Sequence, residues 1–228
     1  MGLRLFLLDA GNTTLCHSQS RLKRTGVLSR DEYRQWLTDG PQALFATAHD
    51  KGSFSMANRY VVFSHGKDSG PWGRKITALA DVARTEGYEV ESVDYRGIDT
   101  VRARIDSLLA VCKSLSGDLV LVGSSLGGYV SVSAASPLHA RGVFLMAPAL
   151  YMEGLPPLRE RVLDCPATIV HGWRDEVVPV EHSVRFAREA NAPLHLIPGD
   201  HQLHEQLMFI KYLFEYFLIG LDLPVATL

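Results

Sequence analysis

From about residue 56 the apolar positions fall into short unbroken runs, separated by longer stretches with helical spacing. Residues 59–64 (RYVVFS) form a run that ends at His65-Gly66, which suits a strand buried on both faces. In 73–85, Ile76, Leu79, Ala80 and Ala83 recur at offsets of 0, 3, 4 and 7, the stripe of an amphipathic helix closed by Gly87. A second strand is predicted over 88–95. A second helix is predicted over 100–115, with Val101, Ile105, Leu108, Leu109 and Cys112 on one face. The run DLVLV (118–122) is a third strand, followed by Gly123 and a small-residue helix over 126–135. Strands then follow at 142–146 (GVFLM), 167–170 (ATIV) and 194–197, with a helix at 181–190. A last helix over 203–218 carries Leu203, Leu207, Ile210, Phe214, Phe217 and Leu218 on one face. Strands alternating with helices of this length imply an α/β fold, a mostly parallel central sheet with helices on both faces. In such sheets functional residues gather at the carboxyl ends of the strands.

The first 55 residues carry a weaker pattern. Residues 3–8 could be a strand, and Ser29 with Glu32 fits a capping box ahead of Tyr33, Trp36 and Leu37. The expectation is one edge strand or hairpin and one short helix. At 228 residues the chain suits a single domain, with 1–55 as an N-terminal extension and 56–220 as the core.

Composition narrows the partners. With 46% hydrophobic and 21% charged residues the chain has ordinary globular usage, and its formal net charge is −2. A nucleic-acid partner calls for clustered positive charge, and the short basic stretch 21–24 reads as a solvated loop. Cys16, Cys112 and Cys165 are odd in number and show no metal-ligand spacing, which suits reduced thiols in an intracellular protein. No apolar run reaches the roughly 18 residues of a membrane span. The N-terminal apolar stretch is broken by Asp9 and lacks a cleavage site of the signal-peptide kind. A cytoplasmic location without membrane contact is therefore expected.

The chemistry centres on Gly123-Ser124-Ser125-Leu126-Gly127-Gly128, a G-x-S-x-G pattern directly after a strand and before a helix. A turn that sharp lifts the central hydroxyl, Ser125, above the sheet edge. It also leaves the Leu126 amide at a helix N-terminus, where a free N–H can stabilise an oxyanion. Ser124 is the other serine, but only Ser125 has glycine at both −2 and +2. A serine hydroxyl needs a base to take its proton. His201, in Pro198-Gly-Asp-His beyond the last strand, is favoured over His204, three residues on, and over His171, which ends a strand and reads as structural. The base needs an acid to hold its tautomer. Asp175, in the loop 171–179, is favoured over Glu176 and over Asp200, whose adjacency to His201 points the two side chains apart.

These motifs together resemble the α/β-hydrolase superfamily over about residues 60–217. The order Ser125, Asp175, His201 matches its nucleophile–acid–histidine order. The segment His171-Gly-x-x-Asp175-x-x-Val-Pro179 is similar to its acid loop, and His65-Gly66 after a strand to its oxyanion loop. By that resemblance the backbone amide of Lys67 is the second oxyanion donor, although the loop lacks an HGGG run. The compact form is similar to dienelactone-hydrolase-like, carboxylesterase-like and testis-expressed-30-like members. Residues 7–14 (LLDAGNTT) also resemble the first phosphate loop of actin-like kinases, but no companion motif follows and the serine turn would go unexplained.

The expected function is hydrolysis of a carboxylic ester or thioester of a small substrate through an acyl-enzyme, with no metal and no organic cofactor. A silent binding module on the same fold, or a peptidase or amidase using the same triad, are the alternatives. Only 19 residues, 148–166, stand where a lid would be inserted, too few for a helical cap. Leu150, Tyr151, Met152, Leu155 and Leu158 either wall a shallow acyl pocket or bury one another; Trp72 and Trp173, on strand-end loops, could line the site too, and the first 55 residues could cover it.

Overall fold

The computed structural model describes residues 6–9, 12–15, 27–28, 58–158 and 163–222. The chain divides into two units, Met1–Met56 with Leu223–Leu228, and Ala57–Asp222. In the first, β1 (Phe6–Asp9), β2 (Asn12–Leu15) and β3 (Val27–Leu28) form an antiparallel sheet in that order. The hairpin anticipated near the N-terminus is β1–β2, paired from Phe6↔Leu15 to Asp9↔Asn12. The helix anticipated after Ser29 lies outside the described residues.

The second unit holds the six strands read from the apolar runs: β4 (Arg59–Ser64), β5 (Glu89–Val93), β6 (Asp118–Ser124), β7 (Gly142–Met146), β8 (Ala167–Gly172) and β9 (Leu194–Ile197). They lie in the order β5-β4-β6-β7-β8-β9, all parallel. Between them run α1 (Arg74–Thr85), α2 (Val101–Lys113), α3 (Leu126–Ala135), α4 (Val180–Glu189) and α5 (Leu207–Asp222).

Because side chains alternate along a strand, each strand feeds two cores. Tyr60, Val62, Leu119, Leu121, Val143, Leu145 and Ile169 face one side, where Leu108 and Cys112 of α2, Val130 of α3 and Phe186 of α4 cover them. Val61, Phe63, Val120, Val122, Phe144, Met146 and Val170 face the other, under Leu79 and Ala83 of α1 and Ile210, Phe214 and Phe217 of α5. Phe214 anchors that second layer, with its ring 5.0 Å from Phe144 in an edge-on arrangement. Both faces being covered explains why the strands read as continuous apolar runs.

The final helix begins at Leu207, not at Leu203. Asp200 Oδ1 accepts the N–H groups of Gln202 and Leu203, both at 3.0 Å. Leu203 then adopts φ 57°, and a single 3-10 turn, His204–Gln206, intervenes. A short acidic side chain thus offers the backbone an alternative to helix. Among the described residues no helix is long and apolar enough to cross a membrane.

The chain passes from β4 outward to β5 and then back across to β6, so the strand order reverses between β4 and β6. Connections there leave toward opposite faces and open a crevice at the carboxyl ends. Ser64 of β4 pairs with Gly123 of β6, so His65-Gly66 and Ser125 emerge side by side at that crevice.

Candidate active site

Ser125 stands between β6 and α3 with φ 54° and ψ −124°. For a residue with a Cβ this region is costly, about 1–3 kcal/mol, and it persists only where the surroundings impose it. The Ser125 N–H donates to Met146 O at 3.0 Å, while Ser125 O accepts from Gly128 N at 2.8 Å and Ala149 N at 2.9 Å. The flanking glycines allow the close approach: a Cβ on Gly123 would lie 2.5 Å from Gly127 O, and one on Gly127 2.0 Å from Ser64 O. Leu126 is the first residue of α3, so no helix carbonyl precedes its N–H by four.

The candidate acid and base follow β8 and β9, beyond β7. The β8 and β9 loops nearly touch, since a Cβ on Gly172 would lie 2.3 Å from Gly199 O. That brings His201 Nδ1 to 2.7 Å from Asp175 Oδ2 and His201 Nε2 to 3.0 Å from Ser125 Oγ. A carboxylate only accepts, so the His201 proton sits on Nδ1 and Nε2 is free to accept from the serine. Asp175 has a fully buried side chain, and its Oδ1 accepts the Val177 and Val178 amides, each at 2.9 Å. Burial pushes its carboxyl up, but the Val178 amide, His201 and the Val177 amide outweigh that and hold it below the ordinary carboxylate range.

The rivals weighed in the sequence lie elsewhere. Ser124 is the buried last residue of β6, Glu176 is exposed, Asp200 caps its own turn, and His204 begins the 3-10 turn. His171 is different. It is fully buried, with Nδ1 2.7 Å from Ser183 Oγ and Nε2 2.9 Å from Asp175 Oδ2 and 3.1 Å from Val178 O. A structural role is what its strand-end position suggests, and the contact with Asp175 goes beyond that expectation. Strand-end position alone carries no sign of which way the ring turns.

On the other side of Ser125, His65 is buried at 1% exposure. Its Nε2 lies 2.8 Å from the Tyr95 N–H and must accept, so Nδ1 carries the hydrogen and donates to Gly66 O at 2.7 Å. Burial holds this ring below the usual histidine range, in the neutral form that arrangement needs. Arg104, also buried, donates to Ile98 O at 2.9 Å and lies 3.5 Å from Gly66 O. The Gly66 carbonyl is thus held from behind. In a planar trans peptide the Lys67 N–H points the opposite way from that carbonyl. Gly66 itself packs on the nucleophile, with a Cβ there lying 3.2 Å from Ser125 Cβ.

Past Pro148 the chain forms one side of a cleft of about 510 Å³ against α4, lined by Tyr151, Met152, Leu155, Leu158, Arg185 and Glu189. Arg185 stacks 4.0 Å over the Tyr151 ring and bonds Glu189 at 2.8 Å, so its charge is already matched. Trp72 and Trp173 are about half exposed, at 48% and 59%. Cys112 is in the core, its thiol pushed up to about 12 by burial, and Cys165 is pushed to about 11 for the same reason. Among the described residues no group of three His, Cys, Asp or Glu side chains could hold a metal ion.

A family model described as Alpha/beta hydrolase family matches residues 61–213. Among solved structures, the chain is 31% identical to a protein of the α/β hydrolase superfamily from Xanthomonas campestris pv. campestris, covering 72% of this chain and 99% of that one, with a TM-score of 0.67. Est1E from Butyrivibrio proteoclasticus is 20% identical over 72% of this chain and 88% of its own, TM-score 0.61, and has also been solved with ferulic acid bound. A second Xanthomonas campestris protein, an α/β serine hydrolase without a lid, is 20% identical over 78% of this chain and 88% of that one, TM-score 0.61. No curated protein sequence matches the chain.

Proposed function

The chain belongs to the α/β-hydrolase family, and from that premise we propose that it is a serine hydrolase acting on a carboxylic ester or thioester of a small substrate. The observation that carries this reading is the contact of Ser125 Oγ with His201 Nε2 at 3.0 Å, made while Asp175 holds the other ring nitrogen at 2.7 Å. Ser125 attacks the carbonyl carbon as its proton passes to His201 Nε2. The resulting imidazolium is stabilised by the Asp175 carboxylate, which its two loop amides keep ionised. The Leu126 and Lys67 amides receive the oxyanion. His201 then protonates the leaving oxygen or sulfur, and the acyl group remains on Ser125. Water, giving its proton to the same nitrogen, attacks the acyl carbon; the bond to Ser125 Oγ then breaks, His201 returns the proton to Oγ, and the acid leaves.

The strained Ser125 backbone supports this reading, because unfavourable φ/ψ values persist where function needs the geometry. A small substrate is supported by the short segment between β7 and β8, which holds no described helix. The lidless serine hydrolase and Est1E, which has been solved with ferulic acid bound, are fold neighbours compatible with it.

The test is labelling by a fluorophosphonate, which modifies only an activated serine, beside hydrolysis of p-nitrophenyl esters, thioesters and amides. Wild type is expected to label, and Ser125→Ala to lose both labelling and on the order of 10⁴-fold or more in kcat. Ser124→Ala is expected to keep most of both. Unaltered labelling in Ser125→Ala would overturn the assignment, and an unlabelled wild type would favour a silent binding module.

A further inference from the structure

Asp175 is held by more groups than His201 alone requires. Its Oδ1 takes two loop amides, and its Oδ2 lies within reach of two imidazoles, His201 Nδ1 at 2.7 Å and His171 Nε2 at 2.9 Å. We propose that His171 is a positioning residue for the acid, a neutral Nε2–H donor that fixes the Asp175 carboxylate and takes a share of its charge. The inference rests on the reading of Asp175 and His201 given above.

Satisfiability decides the tautomer. His171 Nε2 faces two acceptors, Asp175 Oδ2 and Val178 O at 3.1 Å, so a lone pair there would be repelled by both. The hydrogen therefore sits on Nε2, and Nδ1 accepts the Ser183 hydroxyl at 2.7 Å. Both His171 and Ser183 have no exposure, so neither can turn to water instead. Burial also keeps the ring neutral, holding it below the usual histidine range against the pull of Asp175.

A neutral donor on Oδ2 competes with His201 for the same oxygen. Removing it leaves more negative charge on Oδ2 facing the imidazole, which strengthens that contact in the charged form. The carboxylate also loses one of its four tethers. The other charged groups around Asp175 stay in place: partly buried Lys75 of α1, whose amine burial pushes down to about 8 against Asp175 and Asp200, with His204 beyond, and the Arg174–Glu205 pair at 3.9 Å. A shift in the pH profile is thus specific to His171.

The experiment follows kcat and KM for p-nitrophenyl acetate against pH in wild type, His171→Leu and His171→Gln, with ¹⁵N NMR of histidine-labelled wild type beside it. His171→Leu is expected to lower kcat on the order of 10- to 100-fold with little change in KM. Its acid limb should move to higher pH. His171→Gln, whose amide can donate to the same oxygen, should recover most of kcat and return the limb toward wild type. An acid limb unmoved in His171→Leu, or Gln no better than Leu, would overturn the proposal. The NMR measurement needs no foldable Leu variant and no turnover. The resonance lost in His171→Gln should show the Nε2–H pattern in wild type, and an Nδ1–H pattern would overturn the proposal. Failure of the hydrolase reading shows separately, as a wild type that fluorophosphonate does not label.

Discussion

Gly66 packs directly against the nucleophile. A methyl group there would sit 3.2 Å from Ser125 Cβ and 3.6 Å from its Oγ, so one of the two loops must give by a few tenths of an ångström. The serine backbone is already pinned by Met146, Gly128 and Ala149, which leaves the Gly66–Lys67 peptide to move. Gly66→Ala is therefore expected to lower kcat/KM for a small ester by on the order of 10- to 100-fold with a modest change in melting temperature. Fluorophosphonate labelling rates and thermal melts on the same samples check this, and equal losses in both would mean a general packing defect. At this scale the turn at Ser125 is legible from its neighbours, because a sharp strand-to-helix turn needs glycine nearby. His171 is not, because its role depends on which partner its ring meets after β8 and α4 come together.

Among the elements, α5 shows both what periodicity reveals and where it stops. Ile210, Phe214, Phe217 and Leu218 are all buried, as their spacing implies, since burial of one face is what creates the 3.6-residue period. The start of the helix was misplaced because Leu203 is buried too, though as a left-handed turn residue. The deciding group is Asp200, whose side chain ties down the turn that carries His201. Asp200→Ala removes both bonds and should destabilise the fold by about 1–2 kcal/mol. It should also lower kcat more than KM, because His201 loses its fixed approach to Ser125. Urea unfolding and steady-state kinetics measure the two effects, and unchanged kcat would mean that the turn holds without its cap.

For the whole molecule, two buried histidines set a pH dependence. Burial lowers both His65 and His171 from the ordinary value, so the unfolded chain binds these protons more readily than the folded one. Stability is then complete above the unfolded value of about 6.5 and is lost as pH falls below it toward the folded values. Asp175, whose folded value is depressed, adds a further loss at more acidic pH, below about 4. The urea midpoint should fall between about pH 7.5 and 5.5, and less steeply in His171→Gln. A flat midpoint would contradict the burial argument. The short segment before β8 sets a second property. Each buried methylene is worth about 0.8 kcal/mol, so a deep pocket would reward every added carbon. With a shallow one, kcat/KM on p-nitrophenyl esters should level off beyond about six carbons. A steady rise from acetate to laurate would show an acyl channel.

The amino-acid sequence alone determined the six strands, the helices between them and the sharp strand-to-helix turn that carries Ser125. These are local consequences of which side chains avoid water, and of backbone angles that only certain residues tolerate. His201 and Asp175 were legible as candidates because each follows a strand, where a parallel sheet collects functional groups. Their contacts were decided by the tertiary structure, since residues separated by 26 and 76 positions meet only after the sheet orders its strands. The same holds for the second imidazole on Asp175 and for the carbonyl anchored behind Lys67. Hydrogen bonds between distant side chains leave no period in the sequence, because they depend on direction in space and not on spacing along the chain.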